Sequence, residues 1–410
     1  MAGTAHPFRS LRTYNYRLWA AGALVSNVGT WMQRVAQDWL VLTVLTHNNA
    51  TAVGIVTALQ FGPQLFLLPV TGWAADHIDR RRLLATTQAS LGLLALGLGL
   101  LIITGLVQLW QVYAFALTLG CVTAFDAPAR QTFVAELVGD ADLSNAVALN
   151  SASFNAGRML GPAAAGFILA AVGSGWVFII NAASFLAVLT SLGFLKTSLL
   201  HRHDRPERTR GSFTQGFRYV QSRADLKAIL LMLFLLGALG FNFPICISTM
   251  SVKAFHIEAK EFGLLTSTMA IGSVIGALMS ARREKPRLDL LGGSALVFGC
   301  GCALAAVMPN YLAFGLVLVV IGAAAQTFTT SAIGLTQLST DKALRGRVMA
   351  ILLGVTFGGT LIGGPTVGWI ADAFGPRWAM AMGAVAGLGS AAIALGYRLK
   401  YGAAASSGLA

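Results

Sequence analysis

The sequence predicts an all-α integral membrane protein of twelve transmembrane helices, built as two pseudo-symmetric six-helix bundles. Three observations carry that prediction. The 410 residues are 56% hydrophobic and only 11% charged, with a mean hydropathy of +0.70. Soluble chains carry about 25% charged residues, so long stretches of this chain never meet water. Next, the stretch Gly157-Arg158-Met159-Leu160-Gly161-Pro162-Ala163-Ala164-Ala165-Gly166 returns as Gly359-Thr360-Leu361-Ile362-Gly363-Gly364-Pro365-Thr366-Val367-Gly368. The echo extends outward, pairing Asp140, Leu143, Val147 and Gly173 with Asp341, Leu344, Val348 and Gly375, across a one-residue slip near the proline. A chain that repeats itself over such a distance is two related halves. Last, the basic residues are segregated. Of 29 Lys and Arg, 24 fall in alternate loops of the twelve-span reading, and only Lys253, Lys260 and Arg377 in the others. Arg34 and Arg158 sit inside spans. That asymmetry places both termini in the cytoplasm. The net charge of +13 is therefore topological, and a nucleic-acid partner is not expected.

The organisation follows: a cytoplasmic lead (1–17), a first bundle (18–195), a basic cytoplasmic linker (196–227), a second bundle (228–397) and a cytoplasmic tail (398–410). No cleavable signal peptide is expected, because the first apolar run is long and interrupted by polar residues. Cys121, Cys246, Cys300 and Cys302 read as small buried residues without metal-ligand spacing.

The first span, 18–45, is the least apolar, and Asn27, Trp31, Arg34 and Asp38 share one helical face. A charge at mid-membrane costs about 2.5–3.5 kcal/mol on insertion scales, which favours a partner or an aqueous surface. Arg34 and Asp38, four apart, fit either an ion pair that locks helix packing or a polar wall with a titratable carboxylate. Span 2 (52–75) contains Pro63 and Pro69 and should bend. A loop with Asp76 and Arg80-Arg81-Arg82 follows, then an uncharged span 3 (83–104). Span 4 (108–127) ends at Asp126-Ala127-Pro128-Ala129-Arg130, whose acid and base are placed to join that loop. Residues 128–143 suit a short interfacial helix, before span 5 (144–172) and span 6 (176–195). In the linker, Phe213, Phe217 and Val220 recur at helical spacing and predict an amphipathic surface helix. Span 7 (228–251) carries Asn242 and Pro244, span 8 covers 262–281, span 9 289–308, and span 10 (311–333) is polar near Gln326. Spans 11 (348–372) and 12 (377–397) complete the set. Glycines four apart let helices approach closely, which predicts packing through Gly157, Gly161, Pro162 and Gly166 and their twins Gly363, Gly364, Pro365 and Gly368.

Gly72, Asp76, Arg80 and Arg81 resemble the signature loop between spans 2 and 3 of the major facilitator superfamily, and Gly157-x-x-x-Gly161-Pro162 resembles the glycine-proline motif of its antiporters. Phe125-Asp126-Ala127-Pro128-Ala129-Arg130-Gln131, Leu143-Ser144-Asn145-Ala146-Val147-Ala148-Leu149-Asn150-Ser151 and Arg345-Gly346-Arg347-Val348 are similar to the enterobactin-exporter-like branch of drug and metabolite exporters. The resemblance spans essentially the whole chain. It departs at His77 and Asp79, where the superfamily usually has a base and a glycine. It implies the major facilitator fold, alternating access between two bundles, and proton-driven export of a small amphipathic molecule such as a drug or siderophore. A passive facilitator or a lipid transporter on the same fold is the alternative. The expected setting is the inner membrane, with the chain as a monomer in the lipid bilayer, the proton gradient as energy source and no cofactor.

Asp38 with Arg34 is then expected to couple protons. Asn27, Trp31, Gln37, Arg158, Asn242 and Gln326 are the candidate substrate contacts, and Gly72, Asp76, Arg80, Arg81, Asp126 and Arg130 the cytoplasmic gate. An enzyme is not expected, since no nucleophile elbow, His-Glu-x-x-His motif or Walker lysine loop appears. A channel lacks its carbonyl-filter sequence.

Overall fold

The computed structural model describes residues 8–67, 70–71, 74, 77–201, 213–282, 287–341 and 344–406, and the described residues contain no strand. Among the described residues, the first half of the sequence forms α1 (Tyr14–Trp39), α2 (Ala50–Phe66), α3 (Arg80–Ile103), α4 (Leu109–Leu137), α5 (Asp140–Val172) and α6 (Ser174–Phe194). The amphipathic linker helix is α7 (Phe213–Ser222), with Val220 buried and Phe217 exposed. The seventh span is broken: α8 (Ala224–Leu235) passes through a π-helical turn at Leu236–Gly240, stops at Phe241 and Asn242, and resumes as α9 (Phe243–Thr249) and a second π turn. Gly237, Gly240 and Pro244 weaken the regular ladder there. Then follow α10 (Ala259–Ala281), α11 (Leu288–Ala306), α12 (Tyr311–Ser339), α13 (Arg345–Ala373) and α14 (Pro376–Ser406).

Among the described residues, nine helical segments are long and apolar enough to cross a membrane. The spans outside that set are α1, α2 and α5. α2 is 17 residues long, and α1 and α5 carry the polar side chains that the sequence singles out. Large apolar residues cover outward faces, as with Leu312, Leu316 and Val320, four apart on α12. That is the surface a bilayer requires.

The chain forms two compact units. The first holds α1, α3 to α6 and the head of α10 (Ala259–Ser267). The second holds Thr46–Leu65, α7 to α9, the rest of α10, and α11 to α14. In the first, α1 packs on α5 and α6, and α3 packs on α4 and α6. In the second, α8 and its π turn pack on α13 and α14, as α1 does on α5 and α6. Within these units α2 groups with α13, and the head of α10 groups with α5.

The repeated glycine motif explains this grouping. A Cβ on Gly157 would lie 2.8 Å from the Asn27 carbonyl carbon, and one on Gly161 would lie 2.6 Å from the Trp31 Cβ, so this part of α5 is pressed onto α1. A Cβ on Gly166 would meet the Ala259 carbonyl oxygen at 2.8 Å, so the next turn meets α10. The twin helix repeats the arrangement: Gly359 and Gly363 lie against Gly237 and Ala238, while Gly364 and Gly368 lie against Gly54 and Ala50. The repeat also closes alike, because Gly173 and Gly375, just past α5 and α13, have φ of +85° and +103°. A positive φ of this size is one that glycine adopts without Cβ strain.

Three expectations are corrected. α4 does not end near Pro128 and no separate interfacial helix follows; the helix runs on to Leu137. Ala129, Phe133, Val134 and Leu137 are buried with Tyr16, Trp19 and Leu84 in the core of the first unit, and that burial outweighs the hydrogen bond lost at the proline. The basic residues flanking spans 11 and 12 are helical rather than in loops, with Arg345 opening α13 and Arg398 and Lys400 inside α14. Of the four thiols, Cys246 and Cys302 are buried, whereas Cys121 is half-buried and Cys300 exposed.

Candidate functional site

The polar face of α1 is the centre of the first unit. Trp31 is half-buried and stands edge-on to Phe154 of α5, with ring centroids 5.7 Å apart. The Arg34 guanidinium lies 5.0 Å from the centre of the same indole, and the Arg158 guanidinium of α5 lies 5.7 Å from it. Trp31 thus carries cations from two helices, an arrangement worth about 0.5–2 kcal/mol per cation. Asp38 is half-buried one helical turn beyond Arg34. Gly157 and Gly161 bracket Arg158, and their close contact with α1 brings its side chain to Trp31.

One and two turns nearer the start of α1 lies a second polar cluster. Asp126 of α4 is 4% exposed; its Oδ1 accepts from Thr87 Oγ1 (2.8 Å) and Gln88 Nε2 (2.7 Å), and its Oδ2 accepts from Arg130 Nη2 (2.9 Å) and Nε (3.2 Å). Arg130 Nη1 donates to Asn27 Oδ1 at 3.1 Å, and Asn27 Nδ2 donates to Ser153 Oγ at 3.1 Å. This network ties α1, α3, α4 and α5 together. Asn27 is 6% exposed and engaged within it, so it is a structural tie rather than part of the open face. Gln37 is 2% exposed and buried away from that face, with its Nε2 lacking a hydrogen-bond partner.

The gate residues divide. Gly72 and Asp76 lie outside the described residues. Arg80 pairs with Glu136 at the end of α4, and Arg81 donates from Nε to the Leu192 carbonyl at 2.9 Å. Asp126 and Arg130 bond to each other and to Asn27, Thr87 and Gln88, rather than to Arg80 or Arg81. Asp79, which stands where the resembling family has glycine, caps α3 by accepting from Arg82 N at 2.9 Å. His77 is exposed.

In the second unit, Asn242 sits fully buried at the break in the seventh span, its Nδ2 donating to the Ala238 carbonyl at 2.8 Å and its Oδ1 unpartnered. Gln326 of α12 is half-buried, and its Nε2 donates to Thr330 Oγ1 at 3.2 Å. A group that the sequence did not signal is Asp372 of α13. Its Oδ1 accepts from Ala50 N and Lys253 Nζ, and its Oδ2 from Thr51 N and Thr51 Oγ1, all between 2.7 and 2.8 Å. One carboxylate thus caps the start of α2 and pairs with the seventh span. A lone acid at a span end gives no hint of partners more than 100 residues away. Phe154, Thr87 and Gln88 escaped notice for the same reason. Among the described residues, no group of His, Cys, Asp and Glu is placed to hold a metal.

The profile of the family described as transmembrane secretion effector matches residues 3–408. The chain belongs to that family of major facilitator transporters. The staphyloferrin A transporter of Staphylococcus aureus is 27% identical over 80% of this chain and 82% of its own. The multidrug efflux pump Tap of Mycolicibacterium fortuitum is 26% identical over 86% and 88%, and the enterobactin exporter EntS of Shigella boydii 25% over 79% and 78%. Among solved structures, a bacterial homolog of the human lysosomal transporter Spinster superposes with a TM-score of 0.70 at 14% identity, covering 95% of this chain and 96% of that one. A D-xylose-proton symporter gives 0.73 at 14% identity, over 92% and 96%. These likenesses establish the major facilitator fold. This is a multi-pass membrane transporter, not an enzyme.

Proposed function

We propose that this transporter is a proton-coupled exporter of amphipathic small molecules, working by alternating access in the inner membrane with both termini cytoplasmic. The observation that carries the reading is the face of α1 on which Trp31, Arg34 and Asp38 succeed one another, joined by Arg158 from α5. A carboxylate one turn from a guanidinium, on a half-buried surface within a span, can exchange a proton as its contact with that cation changes. The aromatic surface beside it offers an apolar body a place to pack. Inward movement of one proton per cycle supplies about 2.3 kcal/mol per 100 mV, enough for useful accumulation. Export is supported by relatives named as efflux pump and exporter, and orientation by the basic-residue bias of the loops.

The test is a reconstituted vesicle assay with a pH-sensitive dye, comparing wild type with Asp38→Asn against a panel of lipophilic cations and siderophores. Substrate-triggered proton movement in wild type, lost in Asp38→Asn, is expected. Full proton-linked transport by Asp38→Asn would remove that residue from the coupling role. Substrate flux without proton movement in both proteins would make the transporter a facilitator.

A further inference from the structure

We propose that Arg158 and Arg34, both against the Trp31 ring and beside Phe154, form an anion subsite that takes the carboxylate of an amphipathic organic anion. The inference rests on the transporter reading above and adds the charge of its substrate.

Charge balance is the first argument. Within α1, α5 and α6, beyond the first turn of α5, the charged residues are Arg17, Arg34, Asp38 and Arg158. Arg17 lies four to five turns before Arg34 and belongs to the end of α1. The middle of these three helices therefore has two guanidiniums against one carboxylate, while on the neighbouring α4 Asp126 and Arg130 neutralise each other. The nearest acids on α5, Asp140 and Asp142, precede Arg158 by 16 residues or more, roughly 24 Å along the helix.

Donor accounting is the second. A guanidinium carries five N–H donors and no acceptor, and it stays charged in a protein. Among the described residues, Arg158 makes no hydrogen bond or ion pair, and its one described partner is the Trp31 ring. That contact leaves the guanidinium with an N–H edge that no hydrogen-bond acceptor among the described residues meets. A planar carboxylate is the ligand whose two oxygens match such an edge. A lipophilic cation would instead meet two like charges.

The third is the surface beside the charge. Phe154 is 49% exposed and one turn before Arg158, and Trp31 is half-buried. An aromatic or alkyl body attached to the carboxylate would pack there while its charge meets Arg158. Gly157 and Gly161 hold α5 close to α1, which brings Arg158 beside Trp31. Position of the arginine is thus set by the packing motif that brackets it.

The experiment is equilibrium dialysis of the full-length protein in phosphatidylcholine nanodiscs with three probes: 2-naphthoate, its neutral isostere 2-naphthamide, and tetraphenylphosphonium. Wild type should bind 2-naphthoate saturably and about 10- to 100-fold more tightly than the amide, the range of a charge-assisted hydrogen bond. Arg158→Gln should reduce 2-naphthoate binding to the amide level and leave amide binding unchanged. Arg158→Lys should keep a weaker preference for the anion, because it retains the charge and loses the bidentate edge. The inference is overturned by equal binding of 2-naphthoate and 2-naphthamide, by absence of saturable 2-naphthoate binding, or by anion binding that survives Arg158→Gln. It is also overturned if Arg158→Lys loses anion and amide binding alike, the result of a purely structural role. Tetraphenylphosphonium flux in vesicles without any anion preference would sink the subsite and spare the transporter reading. Anion preference without substrate-linked flux would do the reverse.

Discussion

Gly161→Ala tests whether the close approach of α1 and α5 builds the site. The added methyl would lie 2.6 Å from Trp31 Cβ, 2.8 Å from the Val28 carbonyl oxygen and 3.1 Å from Met32 N. Carbon atoms pack best at about 3.5–4.0 Å, so the helices must part by roughly 1 Å. Two of the three obstacles are backbone atoms, which cannot rotate aside. Overpacking of this kind costs about 1–3 kcal/mol, against which alanine in a helix gains roughly 0.5–1 kcal/mol over glycine. A net loss of about 1–2 kcal/mol is expected, together with weaker substrate binding as Trp31 shifts. Gly293→Ala is the control, because a methyl there meets nothing within 4 Å and the change should be neutral or stabilising. Thermal unfolding of the purified protein, followed by intrinsic fluorescence, compares the two. If Gly161→Ala melts at or above the wild-type temperature, the packing argument is wrong, and with it the account of how Arg158 reaches Trp31.

Asp126→Ala should destabilise by about 3–5 kcal/mol, since it strands Arg130 and removes the acceptor shared by Thr87 and Gln88. The double variant with Arg130→Ala should cost clearly less than the sum of the single changes, and simple additivity in unfolding would show that the pair is not coupled. Asp372→Ala removes the cap of α2, worth about 1 kcal/mol, together with the Lys253 pair. Hydrogen exchange at the Ala50 and Thr51 amides should accelerate, and unchanged exchange there would contradict the capping geometry.

Much of the architecture was legible in residue order. The spans follow from apolar length, and the two halves from the repeated glycine-proline stretch. The polar face of α1 follows from the 3–4 spacing of Asn27, Trp31, Arg34 and Asp38. These features are local: one helix, one period, one set of side chains. The limit appears at α4. Pro128 reads as a terminator when only its own backbone counts, whereas Phe133 and Leu137, buried against residues of α1 and α3, carry the helix past it.

Partners behave likewise. Asp126 and Arg130 are adjacent on α4, and their i, i+4 pairing could be read directly. That the pair then turns to Asn27, Thr87 and Gln88 depends on which helix faces which. Sequence alone determined a twelve-span membrane protein in two related halves, with charge on α1 and α5, because hydropathy, loop charge and internal repetition are properties of the chain itself. That it is a transporter followed from its resemblance to a family. Only the tertiary structure decided that α2 groups with α13 and the head of α10 with α5, that Asp372 caps a distant helix, and that Arg34 and Arg158 share one indole. Those outcomes turn on angles between helices and on glycine surfaces meeting backbone, distances that no periodicity along the chain encodes.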